Sequence, residues 1–150
     1  MRDVYIVQSV RTPGCKQKKG LFNQTRPEEL ISFIMKSAVE RTKNLEPEHL
    51  DDVMVGCAFP EAEQGLNIGR VASQMAGFPD KVSGATVNRF CASGIEAIAL
   101  ASMRVQMGWS DVTIGAGLES MSFVPMTGLN PRPHPEFSRT NPEMFIFQWV

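Results

Sequence analysis

The chain is poor in several residue types, and each shortage excludes a class of protein. Its 150 residues include only three cysteines, Cys15, Cys57 and Cys91, whose spacing fits neither a metal-ligand motif nor a disulfide framework. Basic and acidic residues number 15 and 16 and are mixed along the chain, so a nucleic-acid partner is not expected. No apolar run approaches the roughly 20 residues that cross a bilayer, and no membrane span is predicted.

The N-terminus also lacks the features of an exported protein. The opening residues, MRDVYIV, contain no long apolar segment and no small-residue cleavage pattern. We therefore expect a reducing compartment, with the bacterial cytoplasm as the first expectation and a mitochondrial or peroxisomal location left open. A chain of this length is sufficient for one domain with its own core.

What the chain does contain is an alternation of β-type and helical segments. The predicted strands cover residues 4–10, 51–59, 85–88 and 112–114. Helical periodicity predicts one helix that opens at residues 25–28 and two more at 65–77 and 92–107. Successive strand–helix–strand units form a mostly parallel sheet with helices on its faces, so the predicted class is α/β.

The first predicted helix carries a possible capping box at its start. Thr25 is placed to accept from the first free amides, and Glu28 to reach back to the Thr25 N–H. Apolar residues then recur at helical spacing: Leu30, Ile31, Ile34, Ala38 and Val39. This stripe predicts one buried face.

Cys91 lies in VNRFCASG, at the turn between a short strand and the third predicted helix. A thiol just before a helix faces unpaired N–H groups and the positive end of the helix dipole, which favours the thiolate. Ala92, Ser93 and Gly94 add little bulk, so a substrate can approach the sulfur, and Arg89 is placed to add positive charge. A free cysteine is also often a small core residue. These features alone leave both interpretations open.

The helix after Cys91 is apolar on nearly every side. Between Ser93 and Met107 only Glu96 and Arg104 carry charge. Such a helix is usually buried on more than one side. This implies more layers than 150 residues supply.

Several motifs, taken together, resemble the thiolase family. They are Arg11-Thr12-Pro13, EQGLNIGR at 63–70, TVNRFCASG at 86–94 and GAGLESMSFVP at 115–125. The second and fourth are most similar to the degradative 3-ketoacyl-CoA thiolases of fatty-acid β-oxidation. The resemblance implies a thiolase-like fold, of which this chain is the N-terminal βαβ half with a buried helix after the nucleophile. In that family two similar domains pack into five layers.

The resemblance also implies a chemistry. Cys91 would be the nucleophile that attacks the 3-keto carbon of a 3-ketoacyl-CoA, expels acetyl-CoA as its enolate and passes the acyl group to CoA. CoA is then a substrate, and no permanently bound cofactor or metal is expected. A homodimer or tetramer is expected, with a β-oxidation multienzyme complex as a further candidate partner.

Other motifs of the family are absent from the sequence. There is no Gly-His-Pro, no Cys-x-Gly-Gly-Gly and no Asn-Glu-Ala-Phe, and both His49 and His134 lie in polar or proline-rich stretches where we expect them to be solvated. We therefore interpret residues 1–121 as the thiolase N-terminal α/β domain and 122–150 as the truncated start of the family's loop region. The isolated chain is expected to have no thiolase turnover.

Three alternatives to this interpretation remain. One is an acetoacetyl-CoA thiolase or a thiolase-like condensing enzyme. The second is a non-catalytic thiolase-like module that binds acyl chains or partner proteins. The third, a cysteine peptidase or redox protein, has little support, because the chain has no Cys-x-x-Cys pair and no histidine in a suitable motif.

Overall fold

Three parallel strands form one sheet in a computed structural model of the chain, which describes residues 1–132, 134 and 135. The strands are β1 (Asp52–Gly56), β2 (Ser83–Val87) and β3 (Thr113–Gly117). Their order is β2-β1-β3, and Met54 of β1 is level with Ala85 on one side and Gly115 on the other. Because the strands are parallel, their carboxyl ends meet at one edge of the sheet.

Helices cover both faces of this sheet. They are α1 (Pro27–Glu40), α2 (Ile68–Met75) and α3 (Ser93–Gln106), with short 3₁₀ turns at Pro47–His49 and Ala62–Gln64. Val53 and Val55 pack with α1 and α2, whereas Met54, between them, packs with Ala97 and Ala101 of α3. Alternate residues of a strand face opposite sides, so α1 and α2 form one outer layer and α3 the other. The predicted parallel α/β architecture is confirmed.

Two glycines allow α3 to lie very close to the sheet. A Cβ atom on Gly56 would lie 2.2 Å from the carbonyl oxygen of Ser93, and one on Gly115 would lie 2.7 Å from the Cα of Ile98. Both distances are too short for any side chain. The start of α3 is therefore fixed directly against the carboxyl end of β1.

The predicted strand at residues 4–10 is wrong. The segment forms no strand, and Tyr5, Ile6 and Val7 are largely exposed. Its N-terminal end is held by a hydrogen bond from the Arg2 N–H to the Gln106 carbonyl. A strand needs a neighbouring backbone to pair with, and none of the described strands pairs with this segment. The apolar pattern alone cannot supply that neighbour.

The capping box predicted for α1 is also wrong. The helix begins at Pro27, its N-cap is Arg26, and no side chain bonds the cap. Glu28 instead accepts a hydrogen bond from Nε of Arg26 at 2.5 Å. A proline fits the first helical position because it has no N–H to satisfy, and this places the helix start beyond Thr25. The apolar stripe of α1 is confirmed, with Ile31 and Val39 buried.

Helix α3 is buried along one side only. Ala97 and Ala101 are buried against the sheet, but Ile95 is 68% exposed, and Met103 and Met107 are exposed as well. The second layer that the sequence predicted against α3 is not supplied by the described residues. The remaining predicted elements differ from the observed ones only at their ends.

The sequence after β3 forms turns as far as the structure describes it. Val124 packs inside, with no exposed surface. The apolar end at residues 145–150, and much of the predicted loop region 122–150, lie outside the described residues. Within the described part, no helix is long and apolar enough to cross a membrane.

Candidate active site

A crevice forms at the carboxyl ends of β1 and β2. The chain leaves β1 towards α2 on one face of the sheet and leaves β2 towards α3 on the other face. When two neighbouring strands send their connections to opposite faces, the gap between them is the usual ligand site of an open parallel sheet. Cys91 lies in the short turn between β2 and α3, at this crevice.

Cys91 is exposed and lines a cleft of about 620 Å³. The other residues that line this cleft are Asn88, Arg89, Phe90 and Ala92. Its volume lies within the range of small-molecule sites. The sulfur is therefore accessible to a substrate, as the small residues after it predicted.

The backbone before Cys91 is strained and held in place by side chains. Phe90 has a φ of 46°, a left-handed conformation that costs on the order of 1–2 kcal/mol for a residue with a Cβ. Its N–H donates to Oδ1 of Asn88 at 2.9 Å, and its carbonyl accepts from the Ser93 hydroxyl at 2.6 Å. The same Ser93 oxygen accepts from the Arg89 N–H at 2.9 Å. These bonds offset the strain and fix the direction in which the turn presents Cys91.

The start of α3 adds polarity next to the sulfur. The Ser93 N–H donates to the Phe90 carbonyl at 2.9 Å and the Glu96 N–H to the Ala92 carbonyl at 3.0 Å. The two N–H groups between them, at residues 94 and 95, lie in the first helical turn, where no intrahelical acceptor is available. The positive end of the helix dipole is thus beside Cys91. Arg89, predicted to add positive charge, is paired instead with Glu96, with Nη1 and Oε2 2.9 Å apart. Its charge is therefore largely neutralised by α3 itself.

The other two cysteines have different environments. Cys57, directly after β1, is fully buried, whereas Cys15 is exposed in the lysine-rich loop. Burial, and next the nearby carboxylate of Glu119, raises the pKa of the Cys57 thiol to about 12. Its sulfur lies 3.9 Å from Oε1 of Glu119. Cys57 is therefore a protonated core residue at neutral pH rather than a nucleophile.

Neither histidine is part of the cleft in the described structure. His49 is exposed, and its Nδ1 accepts from the Glu46 N–H at 3.1 Å. It precedes β1 and so lies towards the opposite edge of the sheet. His134 is exposed and does not line the cleft. The described lining of the cleft thus provides no group that could take a proton from Cys91.

Gln64 and Glu119 were not predicted to have a role. Gln64 has no exposed surface; its Nε2 donates to the Phe59 carbonyl at 2.9 Å and to Oε1 of Glu119 at 2.8 Å, and its Oε1 accepts from the Ser120 N–H. The pair therefore ties the loop after β1 to the loop after β3. Both residues lie in quoted motifs, EQGLNIGR and ESMS, but only the folded chain shows that they meet.

Comparison with known proteins identifies the family. A family model described as "Thiolase, N-terminal domain" matches residues 4–144. The chain belongs to the thiolase family. The thiolase-like fold predicted from the motifs is thereby confirmed, and the parallel sheet and its two helical layers belong to a thiolase N-terminal half.

Several thiolases resemble the chain over most of its length. It is 41% identical to the 3-ketoacyl-CoA thiolase of Bacillus subtilis, over 97% of this chain and 37% of that protein. It is 42% identical to the peroxisomal 3-ketoacyl-CoA thiolase 2 of Arabidopsis thaliana, over 83% of this chain and 27% of that protein. A crystal structure of the Bacillus anthracis acetyl-CoA acetyltransferase matches with a TM-score of 0.73 and 37% identity, over 78% of this chain and 29% of that one. The chain spans about a third of the length of these relatives.

Proposed function

We propose that the chain supplies Cys91 as the acyl-accepting nucleophile of a 3-ketoacyl-CoA thiolase. The observation that carries this proposal is an exposed thiol in a strained turn at the start of α3, lining a cleft that follows the carboxyl end of β2. The substrate class comes from the relatives in the thiolase family, several of which are named 3-ketoacyl-CoA thiolases. CoA is then a substrate, and the scheme uses no permanently bound cofactor.

The proposed reaction has two halves. The Cys91 thiolate attacks the 3-keto carbon, the bond between carbons 2 and 3 breaks, and its electron pair leaves with acetyl-CoA as an enolate that takes up a proton. The shortened acyl group remains on the sulfur as a thioester. The thiolate of free CoA then attacks this thioester, which releases the shortened acyl-CoA and restores the Cys91 thiolate.

The start of α3 suits both halves of this reaction. The positive end of its dipole favours negative charge beside it, both before the attack and after acyl release. The reaction also needs a group that donates a proton to the enolate in the first half and a group that accepts the proton of the CoA thiol in the second. The described lining of the cleft contains no such group. We therefore expect the chain alone to hold the nucleophile without turnover.

A chimera tests the proposal. The segment of the Bacillus subtilis relative that corresponds to residues 4–144 is replaced by this chain's residues, and thiolysis of 3-ketohexanoyl-CoA is followed with free CoA present. We expect turnover, and mass spectrometry of a sample quenched before CoA is added should find a butyryl group on Cys91. A butyryl group shows that the carbon–carbon bond has broken, whereas simple thioester exchange would leave a 3-ketohexanoyl group.

The matched controls are two cysteine substitutions. Cys91→Ala should abolish turnover and labelling, whereas Cys15→Ala, at the other exposed cysteine, should change neither. An active chimera that loses nothing on Cys91→Ala, or a butyryl group found only on another residue, would rule the proposal out. The 150-residue chain by itself should show no turnover.

A second candidate differs in the acyl group only. The resemblance to a protein named acetyl-CoA acetyltransferase favours an acetoacetyl-CoA thiolase, in which the group on Cys91 would be acetyl. The nucleophile and the turn that presents it are the same in both. A chimera that prefers acetoacetyl-CoA over 3-ketohexanoyl-CoA much more strongly than the parent Bacillus subtilis protein does would favour this candidate.

Finer properties are proposed on the same basis. We take residues 1–121 as the α/β domain, since the last described strand ends at Gly117, and 122–150 as the start of the loop region. A role in β-oxidation follows from the names of the relatives, and a bacterial cytoplasmic location from those that are bacterial. We also propose association into a dimer or tetramer, which light scattering would measure.

A further inference from the structure

We infer that Asn88, Gln64 and Glu119 are positioning residues that hold the turn carrying Cys91. This inference rests on the proposed role of Cys91 as the nucleophile. The three side chains link the loops at the carboxyl ends of all three strands: Asn88 follows β2, Gln64 lies in the loop after β1, and Glu119 follows β3. Through them the turn before α3 is bonded to the loop after β1 and, by way of that loop, to the loop after β3.

Asn88 makes the link between the loops after β1 and β2. Its Nδ2 donates to the Ala58 carbonyl at 2.9 Å, and its Oδ1 accepts from the Phe90 N–H at 2.9 Å. The nitrogen of the side-chain amide thus bonds the loop after β1, and its oxygen bonds the strained residue. The Phe59 ring, 6.2 Å from the Phe90 ring between centroids, gives a second contact between the same loops.

Glu119 continues this chain of bonds to β3. Its Oε2 accepts from the Ala58 N–H at 2.7 Å, and its Oε1 accepts from Nε2 of Gln64 at 2.8 Å. Both backbone groups of Ala58 are therefore held by side chains, the N–H by Glu119 and the carbonyl by Asn88. Gln64, which is fully buried, holds Glu119 in place. The bonds run without a gap from Glu119 through Ala58 and Asn88 to Phe90.

The strain at Phe90 explains why these bonds affect the position of Cys91. A left-handed φ at a residue with a Cβ persists only where its surroundings hold it. Without the acceptor on Asn88, only the bonds to Ser93 still hold Phe90, so this residue relaxes more readily towards a negative φ. Such a change turns the peptide that carries Cys91 away from the start of α3. Loss of Glu119 releases Ala58 and, through it, weakens the hold of Asn88. The effect of Asn88 is direct, and that of Glu119 is transmitted.

The three cysteines of the chain provide the assay. The 150-residue chain is treated with iodoacetamide, and the rate of modification of each cysteine is measured by mass spectrometry of its peptide. Cys91 reports the site, exposed Cys15 is the internal reference, and buried Cys57 becomes reactive only when the chain opens. The measured quantity is the ratio of the Cys91 rate to the Cys15 rate.

We expect this ratio to be well above one in the native chain. Asn88→Ala should lower it several-fold, by up to about tenfold, since it removes two hydrogen bonds, and Glu119→Ala should lower it less. The double variant should change the ratio no more than Asn88→Ala alone, because Glu119 acts on Phe90 only by way of Ala58 and Asn88. Hydrogen exchange at the Phe90 amide should become faster in both single variants.

A control separates positioning from general destabilisation. Asp51→Asn removes a carboxylate that accepts two backbone N–H groups at the opposite edge of the sheet, so it should lower stability and leave the ratio unchanged. For Asn88→Ala, slow modification of Cys57 shows that the chain is still folded. For Glu119→Ala, which contacts Cys57, hydrogen exchange in α1 serves that purpose.

The outcomes distinguish this inference from the proposed function. A native ratio well above one that Asn88→Ala does not change, or fully additive effects in the double variant, would overturn positioning alone. A native ratio of one would overturn the positioning inference, since Cys91 would then gain nothing from the turn that holds it, and the chimera would still decide the thiolase reaction. If the ratio falls as expected in the 150-residue variants while Cys91 is never acylated in the chimera, that pair of results would support the positioning role and reject the thiolase reaction.

Discussion

Replacing Cys57 by alanine is predicted to make the protein less sensitive to alkaline solution. Burial and the Glu119 carboxylate raise the pKa of this thiol to about 12, from an ordinary value of 9.0. In the unfolded chain the thiol returns to its ordinary value. Between the two values the unfolded state therefore binds fewer protons than the folded state, and stability falls as the pH rises through this window.

The magnitude follows from the width of the window. At about pH 10, one unit above the ordinary value, the penalty is about 1.4 kcal/mol, because each pKa unit corresponds to about 1.4 kcal/mol. Below the ordinary value both states keep the proton, and Cys57 contributes no pH dependence. Between about pH 8 and about pH 10 the native chain should therefore lose about 1.4 kcal/mol more free energy of unfolding than Cys57→Ala does.

The assay is urea unfolding followed by circular dichroism at these two pH values, with a reductant present to prevent disulfides between chains. The compared quantity is the loss in free energy of unfolding between the two pH values, for the native chain and for Cys57→Ala. A constant cost from the small cavity that alanine leaves cancels in this difference. Equal losses in the two proteins would refute the reasoning, since Cys57 would then have the same proton affinity folded and unfolded.

Two further predictions concern the packing of α3 and the amino end of the sheet. Gly56→Ala should destabilise by about 1–3 kcal/mol in urea unfolding, because its Cβ would meet the Ser93 carbonyl at 2.2 Å. Gly14→Ala, which meets nothing within 4 Å, is the control, and equal effects would contradict the argument. The N–H groups of Asp111 and Val112 lower the pKa of Asp51, so its contribution is present above the ordinary value of 3.8 and is lost as the pH falls through the folded value. Asp51→Asn should therefore cost about 1 kcal/mol at neutral pH and less in acid, and an undiminished acid cost would contradict this.

Local sequence patterns correctly predicted the elements that are specified by residues close together in the sequence. The apolar stripe with Ile31 and Val39, the strand around Val53–Val55 and the helix after Cys91 all formed, because period and turn residues specify them locally. The strand at 4–10 did not form, since pairing depends on a neighbour that no local pattern shows. The cap at Thr25 failed for a smaller reason: Pro27 takes the first helical position.

Some features of the candidate site can likewise be predicted from the sequence, and others only from the folded chain. The position of Cys91 before a helix, and its small neighbours, are readable in VNRFCASG. The pairing of Arg89 with Glu96 is not, because spacing alone does not show which way a side chain turns. Gln64 and Glu119 lie 55 residues apart and meet only because β1 and β3 are neighbours in the sheet.

The sequence by itself determined that this is a parallel α/β chain of the thiolase family with a thiol at a strand-to-helix turn. Those features are set by local periodicity, turn residues and motifs, which act within a few residues along the chain. Only the folded chain shows that Cys91 is exposed while Cys57 is buried and protonated, and that three loops are bonded together next to the turn that carries Cys91. Solvent access and long-range hydrogen bonds depend on which strand ends come together, and only folding brings them to one edge.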